Sequence, residues 1–361
     1  MKTLQFVNKD KGQFTATLRK NVNNYFKEKS ISTKGNLKLL FKSFVMIAVY
    51  VAPFVLMLTL PFSAWAVFPL SIAMGMGMAG IGMNVMHDAV HGSFSKKTWL
   101  NKLFGSSMYF IGGNTFSWKV QHNLLHHTYT NIEGYDEDIE PKAALRMSKH
   151  RPLRKFHRFQ HIYAFFLYSL MSFSRIFTEI RQLVKYNKTG LTAHMGGKPK
   201  KEMVKIVLMK IAYFMIFLGL PLIFSGFSWW IIILGFMTMH FTAGLIMSVV
   251  FQMAHMVEEA EQPLPTQEGV INNEWTIHEL QTTANFSRKS RLFGWLIGGL
   301  NYQIEHHLFP NISHIHYRAI SPIVERTAKE FGIRYNENRT FLSAIGSHIR
   351  MLKTLGRHEV A

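Results

Sequence analysis

The chain has 361 residues, 48% of them hydrophobic and 14% aromatic, with no cysteine and a formal charge of +20. Without thiols there is no disulfide framework, thiolate zinc site or iron–sulfur ligation, so any metal must be held by nitrogen and oxygen. The length suits one large domain or two small ones, and the long apolar runs make a membrane surface, rather than nucleic acid, the partner of the basic residues.

Residues 1–38 are charged throughout, with Phe6, Phe14, Leu18, Tyr25 and Phe26 scattered among them, a pattern that predicts one or two short surface helices. No apolar core of a cleavable signal precedes Lys42, so insertion is expected to begin with the first spanning helix. Residues 39–60 are almost uncharged and long enough for the ~20 residues that cross a hydrocarbon core, and Pro61 ends the run. A second such run, 65–86, carries Gly75, Gly77, Gly80 and Gly82, which suit close helix packing in lipid.

Residues 92–203 form a long basic segment. Its apolar stretch 103–113 is too short to cross and is expected to dip into the bilayer or to pack half-buried beneath a site. Residues 162–180 are apolar but interrupted by Arg175 and Glu179, which predicts an amphipathic helix on the interface. A third run covers 206–224, with Lys210 placed to snorkel to headgroups. The fourth, 229–251, opens on the interfacial pair Trp229 and Trp230. Residues 292–300 are a further short apolar stretch that loosely echoes 103–113.

Histidines are concentrated where these runs end. His87 and His91 lie four apart in HDAVH; His122, His126 and His127 fall within six residues of HNLLHH; Gln303, His306 and His307 make QIEHH. Positions three and four apart share a helical face, so His122 and His126 point one way, with His127 about a quarter turn round. A lone HxxxH pair is weak evidence, but three clusters in one chain point to a metal site. Imidazoles without cysteine favour zinc, copper, nickel or iron over calcium or magnesium.

Charge orients the runs. Residues 61–64 and 225–228 carry no Lys or Arg, whereas 10 lie in 1–43, 18 in 92–203 and 11 in 252–361. By the positive-inside rule the three large segments and both termini are cytoplasmic, and every histidine cluster then lies on one side of the membrane. The fold expected is an all-α integral membrane protein: four transmembrane helices with a cytoplasmic helical cap holding the histidine-rich site. A cytoplasmic segment over 1–38 and a tail over 341–361 would flank the main domain, 39–340.

The order HDAVH, HNLLHH, QIEHH over four spans resembles the membrane fatty acid desaturases, and the Gln opening the third box is similar to the front-end subgroup. The resemblance covers about residues 39–318, and the string TNIEGYDEDIE after the second box shares it. It implies a non-haem centre of two iron ions ligated by His87, His91, His122, His126, His127, His306 and His307. Gln303 stands where other desaturases have histidine, and His255 in QMAHM, just beyond the fourth span, fits a further ligand position. With so many neutral ligands, acids are expected around the centre, orienting the imidazoles. Asp88, Asp136, Asp138, Glu258 and Glu305 are candidates, with Asp88 and one of the pair Asp136 and Asp138 preferred.

The implied reaction introduces a double bond into an acyl chain, carried by coenzyme A or by a lipid, using O2 and two electrons. No His-Pro-Gly-Gly haem motif and no GxGxxG fingerprint occurs, so a separate ferredoxin, or cytochrome b5 with its reductase, is the expected donor. Phe116, Trp118, Trp275, Phe286, Trp295 and Tyr302 flank the boxes and suit either an acyl tunnel or the core. A hydroxylase or ketolase of the same superfamily would use an equivalent site. A metal transporter would instead need ionisable residues along its spans, where His240 alone qualifies among the histidines. His240 is expected to make a hydrogen bond within the bundle; His278, His314 and His316 read first as structural or headgroup-facing residues, with an approach to the metals through water the alternative for His278 and for Asn285, whose stretch HELQTTANFS resembles the family's.

Overall fold

Asn36 starts the first long helix: its side chain accepts hydrogen bonds from the amides of Lys38 and Leu39, and the helix runs Leu37–Thr59 until extended Leu60 leads into Pro61. The computed structural model describes residues 4–7, 12–139 and 144–357. The chain divides into two compact units, one formed by Met1–Gly35, Gln121–Ala164 and Val250–Ala361, the other by Asn36–Val120 and Phe165–Val249.

The second unit carries the apolar helices. Among the described residues four are long and apolar enough to cross a membrane: Leu37–Thr59, Ala64–Val90, Pro199–Phe224 and Trp229–His255, the last reaching beyond this unit at its C-terminal end. Their outer faces are large and apolar, with Phe41 70%, Trp65 81% and Trp229 66% exposed, as expected of surfaces that meet lipid rather than water. Small residues set the spacing inside. A Cβ on Gly77 would lie 2.5 Å from the amide nitrogen of Tyr50, and one on Gly75 would lie 2.6 Å from the carbonyl oxygen of Met239. Met46, Tyr50, Phe54, Met74, Met78, Phe217, Phe236 and Met239 fill the core between these helices.

The spans are longer than hydropathy predicts. The third begins at Pro199, whose missing N–H costs nothing in the first helical turn. The second runs past a π-helical stretch, Ile81–Met86, directly into His87–Val90, so the first histidine pair continues the span instead of following it.

Glu179 and Lys210 depart from expectation. Glu179 is fully buried on the helix Met171–Lys188, and the Lys210 ammonium donates to it at 2.7 Å and to the Gly112 carbonyl at 2.5 Å. Lys210 therefore does not snorkel, and the helix does not expose its acid. Each charge meets its partner inside the unit, which offsets the desolvation cost of burying either alone. His240 accepts or donates within the bundle as expected, at 2.9 Å from Ser172 Oγ and 2.8 Å from the Tyr213 hydroxyl.

In the first unit the N-terminal residues form one helix, Gln13–Glu28. Its Phe14, Leu18, Val22 and Phe26, each four apart, form a buried stripe against Tyr317, Ile320 and Val324 of the amphipathic helix Tyr317–Glu330. Those side chains, scattered to the eye, are core and not surface. Two parallel strand pairs also occur, Gln5–Phe6 with Val270–Ile271 and Asn285–Phe286 with Glu337–Asn338.

Candidate metal centre

The second histidine box sits on a π-helical stretch, Lys119–His126, continued by His127–Tyr129. A turn closed from i to i+5 is wider than an α-turn, so residues four and five apart flank one direction. His127 therefore joins His122 and His126 instead of standing a quarter turn away. The rings of His122 and His126 stack with centroids 5.3 Å apart, and Nε2 of His122 and Nε2 of His127 lie 3.2 Å apart. The latter is about the separation of two imidazole nitrogens bound to one ion at ~2.1 Å.

His255 ends the helix Trp229–His255, and Gln303, His306 and His307 ride on the short helix Gln303–Leu308. Within this unit the rings gather as two adjoining trios. His126, His255 and His307 form a triangle with centroids 4.8 to 4.9 Å apart. His122, His127 and His306 form another, at 4.7, 4.6 and 5.8 Å. The stacked pair His127 and His307, 4.4 Å apart, joins them. Ligand atoms of His126, His255 and His307 all lie within 4.8 Å of one another, as do those of His127, His306 and His307, and those of His122, His126 and Asp138. None of the six rings is more than 8% exposed, and Gln303 is buried beside them.

Acids and hydroxyls orient these rings from behind. His126 Nδ1 donates to Asp136 at 3.0 Å, and the same carboxylate accepts the amides of Asn131 and Asp138, each at 2.9 Å. Asp138 accepts from Gln121 and lies 3.6 Å from His126 Nδ1. His307 Nδ1 donates to Glu279 at 2.7 Å, and Thr130 Oγ1 bonds that carboxylate at 2.9 Å and the His126 carbonyl at 2.7 Å. His306 Nδ1 lies 3.2 Å from the Tyr317 hydroxyl. The buried Nε2 of His126 has no hydrogen-bond partner among the described residues. An imidazole anchored through Nδ1 to a carboxylate, with its other nitrogen bare in a dry cluster of imidazoles, is the arrangement a metal requires, and the donor set fits iron.

Electrostatics agree with this division of labour. Burial opposes protonation of His126, yet Asp136, Asp138 and Glu279 outweigh it and raise its pKa to about 9. Burial holds the Glu279 carboxyl well above the usual carboxylate range, opposed by the Thr130 bond and by His126.

The sequence does not single out Glu279. Its one signal is to be the acid in HELQTTANFS, on the buried helix Trp275–Thr282. Nor does the sequence mark Asn131: at φ 58° it donates from Nδ2 to the carbonyls of His255 (2.9 Å) and Thr282 (3.1 Å), tying the segment after the second box to two others. Asn285 is held by protein on both sides of its amide. It donates to Glu305 at 2.7 Å and accepts from the amide of Ile304 at 2.9 Å, which fixes the third-box helix. Glu258 pairs with exposed Arg350.

In the other unit His87 and His91 pair with ring centroids 4.8 Å apart, and Trp118 meets both edge-on at 5.6 Å. Asp88 is buried there, in the field of buried Lys42 from the first span.

Residues 63–339 match the model of a family described as fatty acid desaturase. The chain is 32% identical to an sn-1 linoleoyl-lipid 6-desaturase of Arthrospira platensis, over 95% of this chain and 92% of that one. It is 33% identical to the protein of the same description from Synechocystis sp., over 95% and 96%. An acyl-lipid (8-3)-desaturase of Physcomitrium patens is 30% identical over 99% of this chain and 74% of its own length.

Proposed function

The chain belongs to the fatty acid desaturase family and is an enzyme that desaturates fatty acids, and we propose that it does so with two iron ions on an acyl chain esterified in a membrane lipid. The observation that supports the two-iron reading is the gathering of six buried imidazoles as two adjoining trios of rings, with the ligand atoms of His126, His255 and His307, and those of His127, His306 and His307, within 4.8 Å of one another. In this reading the residues that would hold the irons are His87, His91, His122, His126, His127, His255, His306 and His307, with Gln303 at the position where other desaturases have histidine. Asp136, Asp138 and Asp88 act behind them, joined by Glu279.

Iron, when bound, supplies the activation of O2 that breaking an unactivated C–H bond demands. The protein's residues hold, orient and keep dry. Asp136 and Glu279 fix the tautomers of His126 and His307, so that Nε2 would be the atom each offers to an ion. Burial excludes the bulk water that would divert the oxidant. Two hydrogens leave adjacent methylenes as the double bond forms; with two further electrons and two protons, O2 becomes two waters. Those electrons come from a separate ferredoxin, or from cytochrome b5 with its reductase. A lipid-borne substrate is favoured over acyl coenzyme A because the Arthrospira and Synechocystis relatives are described as acting on a linoleoyl-lipid. Desaturation is favoured over hydroxylation or ketone formation because the relatives named above are all desaturases. The centre and both termini face the cytoplasm, where the basic segments lie.

Metal analysis of the purified protein, alongside gas chromatography of lipids from a host expressing it, tests the reading. Two irons per chain and a new double bond are expected. His126→Ala should abolish iron binding and product while leaving membrane insertion intact; product formed at the normal rate by that variant sinks the proposed centre.

A further inference from the structure

Residues 144–164 contain no Asp or Glu, and neither do residues 341–357. Within the first unit these stretches form one surface. The short helix Lys155–Phe159 lies against the end of the C-terminal helix Phe341–Leu355, where the place of a Cβ on Gly356 is filled by the His157 carbonyl oxygen. Gln160 donates to the carbonyls of Leu352 at 2.8 Å and Arg146 at 3.0 Å, and buried Arg146 donates to that of Leu355 at 2.5 Å. The Leu355 carbonyl is one that a helix C-terminus leaves open, and with the Gln160 bonds it holds the two elements in a fixed relation. Arg154, Lys155 and Arg158 stand exposed on one, Lys353 and Arg357 on and just past the other. Their fields overlap: after burial, Arg357 and Lys353 are what disfavour protonation of His161.

Apolar side chains interleave with these cations at every third residue. Phe156 is 44%, Phe159 47% and Ile162 68% exposed, and the Arg158 guanidinium lies over the Phe159 ring at 4.5 Å. Such a face mismatches water, and it also mismatches a soluble acidic protein, which offers charge without an apolar layer beneath it. A bilayer surface offers both: phosphates outside and acyl carbons a few ångströms below.

We propose that the face formed by residues 154–162 with Lys353 and Arg357 docks anionic phospholipid headgroups of the surrounding bilayer. The cations bind phosphate, and Phe156, Phe159 and Ile162 enter the layer below. Each cation close to an anionic surface is worth about fivefold in lipid affinity, an effect that salt screens.

The test uses the full chain in phosphatidylcholine vesicles containing spin-labelled phosphatidylglycerol or spin-labelled phosphatidylcholine, and reads the enrichment of each label around the protein. The unaltered protein should enrich phosphatidylglycerol, less so at high salt. A variant carrying Lys155→Gln, Arg158→Gln, Lys353→Gln and Arg357→Gln should lose that preference, whereas Lys155→Arg with Lys353→Arg should keep it. Should the fourfold variant fail to fold, Arg357→Gln alone, at an exposed position past the helix end, should still reduce the enrichment measurably. Unchanged enrichment in the glutamine variants overturns the proposal. So does loss of binding to an acidic ferredoxin with lipid preference intact, which would make this the donor's docking face. No turnover enters the readout, so it stands apart from the proposed iron chemistry.

Discussion

Asp136 and Glu279 each accept a hydrogen bond from Nδ1 of a box histidine, but they are held differently. Asp136 is satisfied by two backbone amides from the loop that follows its own histidine, whereas Glu279 reaches His307 from a separate helix and is steadied by the Thr130 hydroxyl. Under the proposed ligation, removing either carboxylate leaves the imidazole in place but unoriented, a change that typically costs ~10–100-fold in metal affinity or activity. Glu279→Gln is therefore expected to lower iron occupancy and turnover together by about that factor while the protein still inserts, as measured by iron content after dialysis. A pH dependence follows from His126. With a pKa of about 9 in the metal-free protein, the ring is protonated at neutral pH and must lose that proton to bind an ion. Apparent affinity of the metal-free protein for a divalent ion should rise with pH, up to about tenfold per unit from this group, until about pH 9, and then level off. Asp136→Asn should move that plateau down towards the ordinary histidine range; an unmoved plateau in a competition titration would mean that His126 does not bind the ion.

At the scale of elements, two features carry the packing. Gly77 lets the second span touch the backbone of the first at Tyr50, and its substitution by Ala would press a methyl against main-chain atoms that have no rotamer to yield. Gly77→Ala should cost ~1–3 kcal/mol, read as a lower midpoint in thermal unfolding of the detergent-solubilised protein. In the other unit Leu18 belongs to the buried stripe of Gln13–Glu28, and Leu18→Ala should cost ~2–5 kcal/mol. That loss is expected to loosen the helix Tyr317–Glu330 and so to lower iron retention as well, because Tyr317 contacts His306. The π-helical turns belong at this scale too. Lys119–His126 carries two of the second-box histidines, and Ile81–Met86 directly precedes the first box. Both turns change the angular register of the side chains that follow, which helical spacing read from sequence does not contain.

For the molecule as a whole, the absence of cysteine makes topology directly measurable. Single substitutions Ser63→Cys and Ser225→Cys, in the two turns that lack Lys and Arg, should react with a membrane-impermeant maleimide added outside intact cells. Ser343→Cys, near the start of the C-terminal helix, should react only after permeabilisation. Labelling of Ser343→Cys in intact cells would reverse the proposed orientation. The expected asymmetry is a property of the total charge pattern, since the 39 Lys and Arg outside the spans' central portions all fall in three segments: 10, 18 and 11.

The primary structure alone determined the family, the four apolar helices and the seven box histidines. These are written in local terms: unbroken apolar runs of membrane length, and imidazoles spaced by a helical turn. Tertiary structure decided what rests on partners distant in sequence. Glu179 and Lys210 read as interfacial residues until they meet 31 positions apart, and Glu279 reads as an ordinary acid until His307 arrives 28 positions later. The stripe from Phe14 to Phe26 becomes core only because a helix some 300 residues on supplies its other half. A charge or an apolar side chain has no fixed meaning in a linear string, because its free energy depends on what the fold brings within a few ångströms of it.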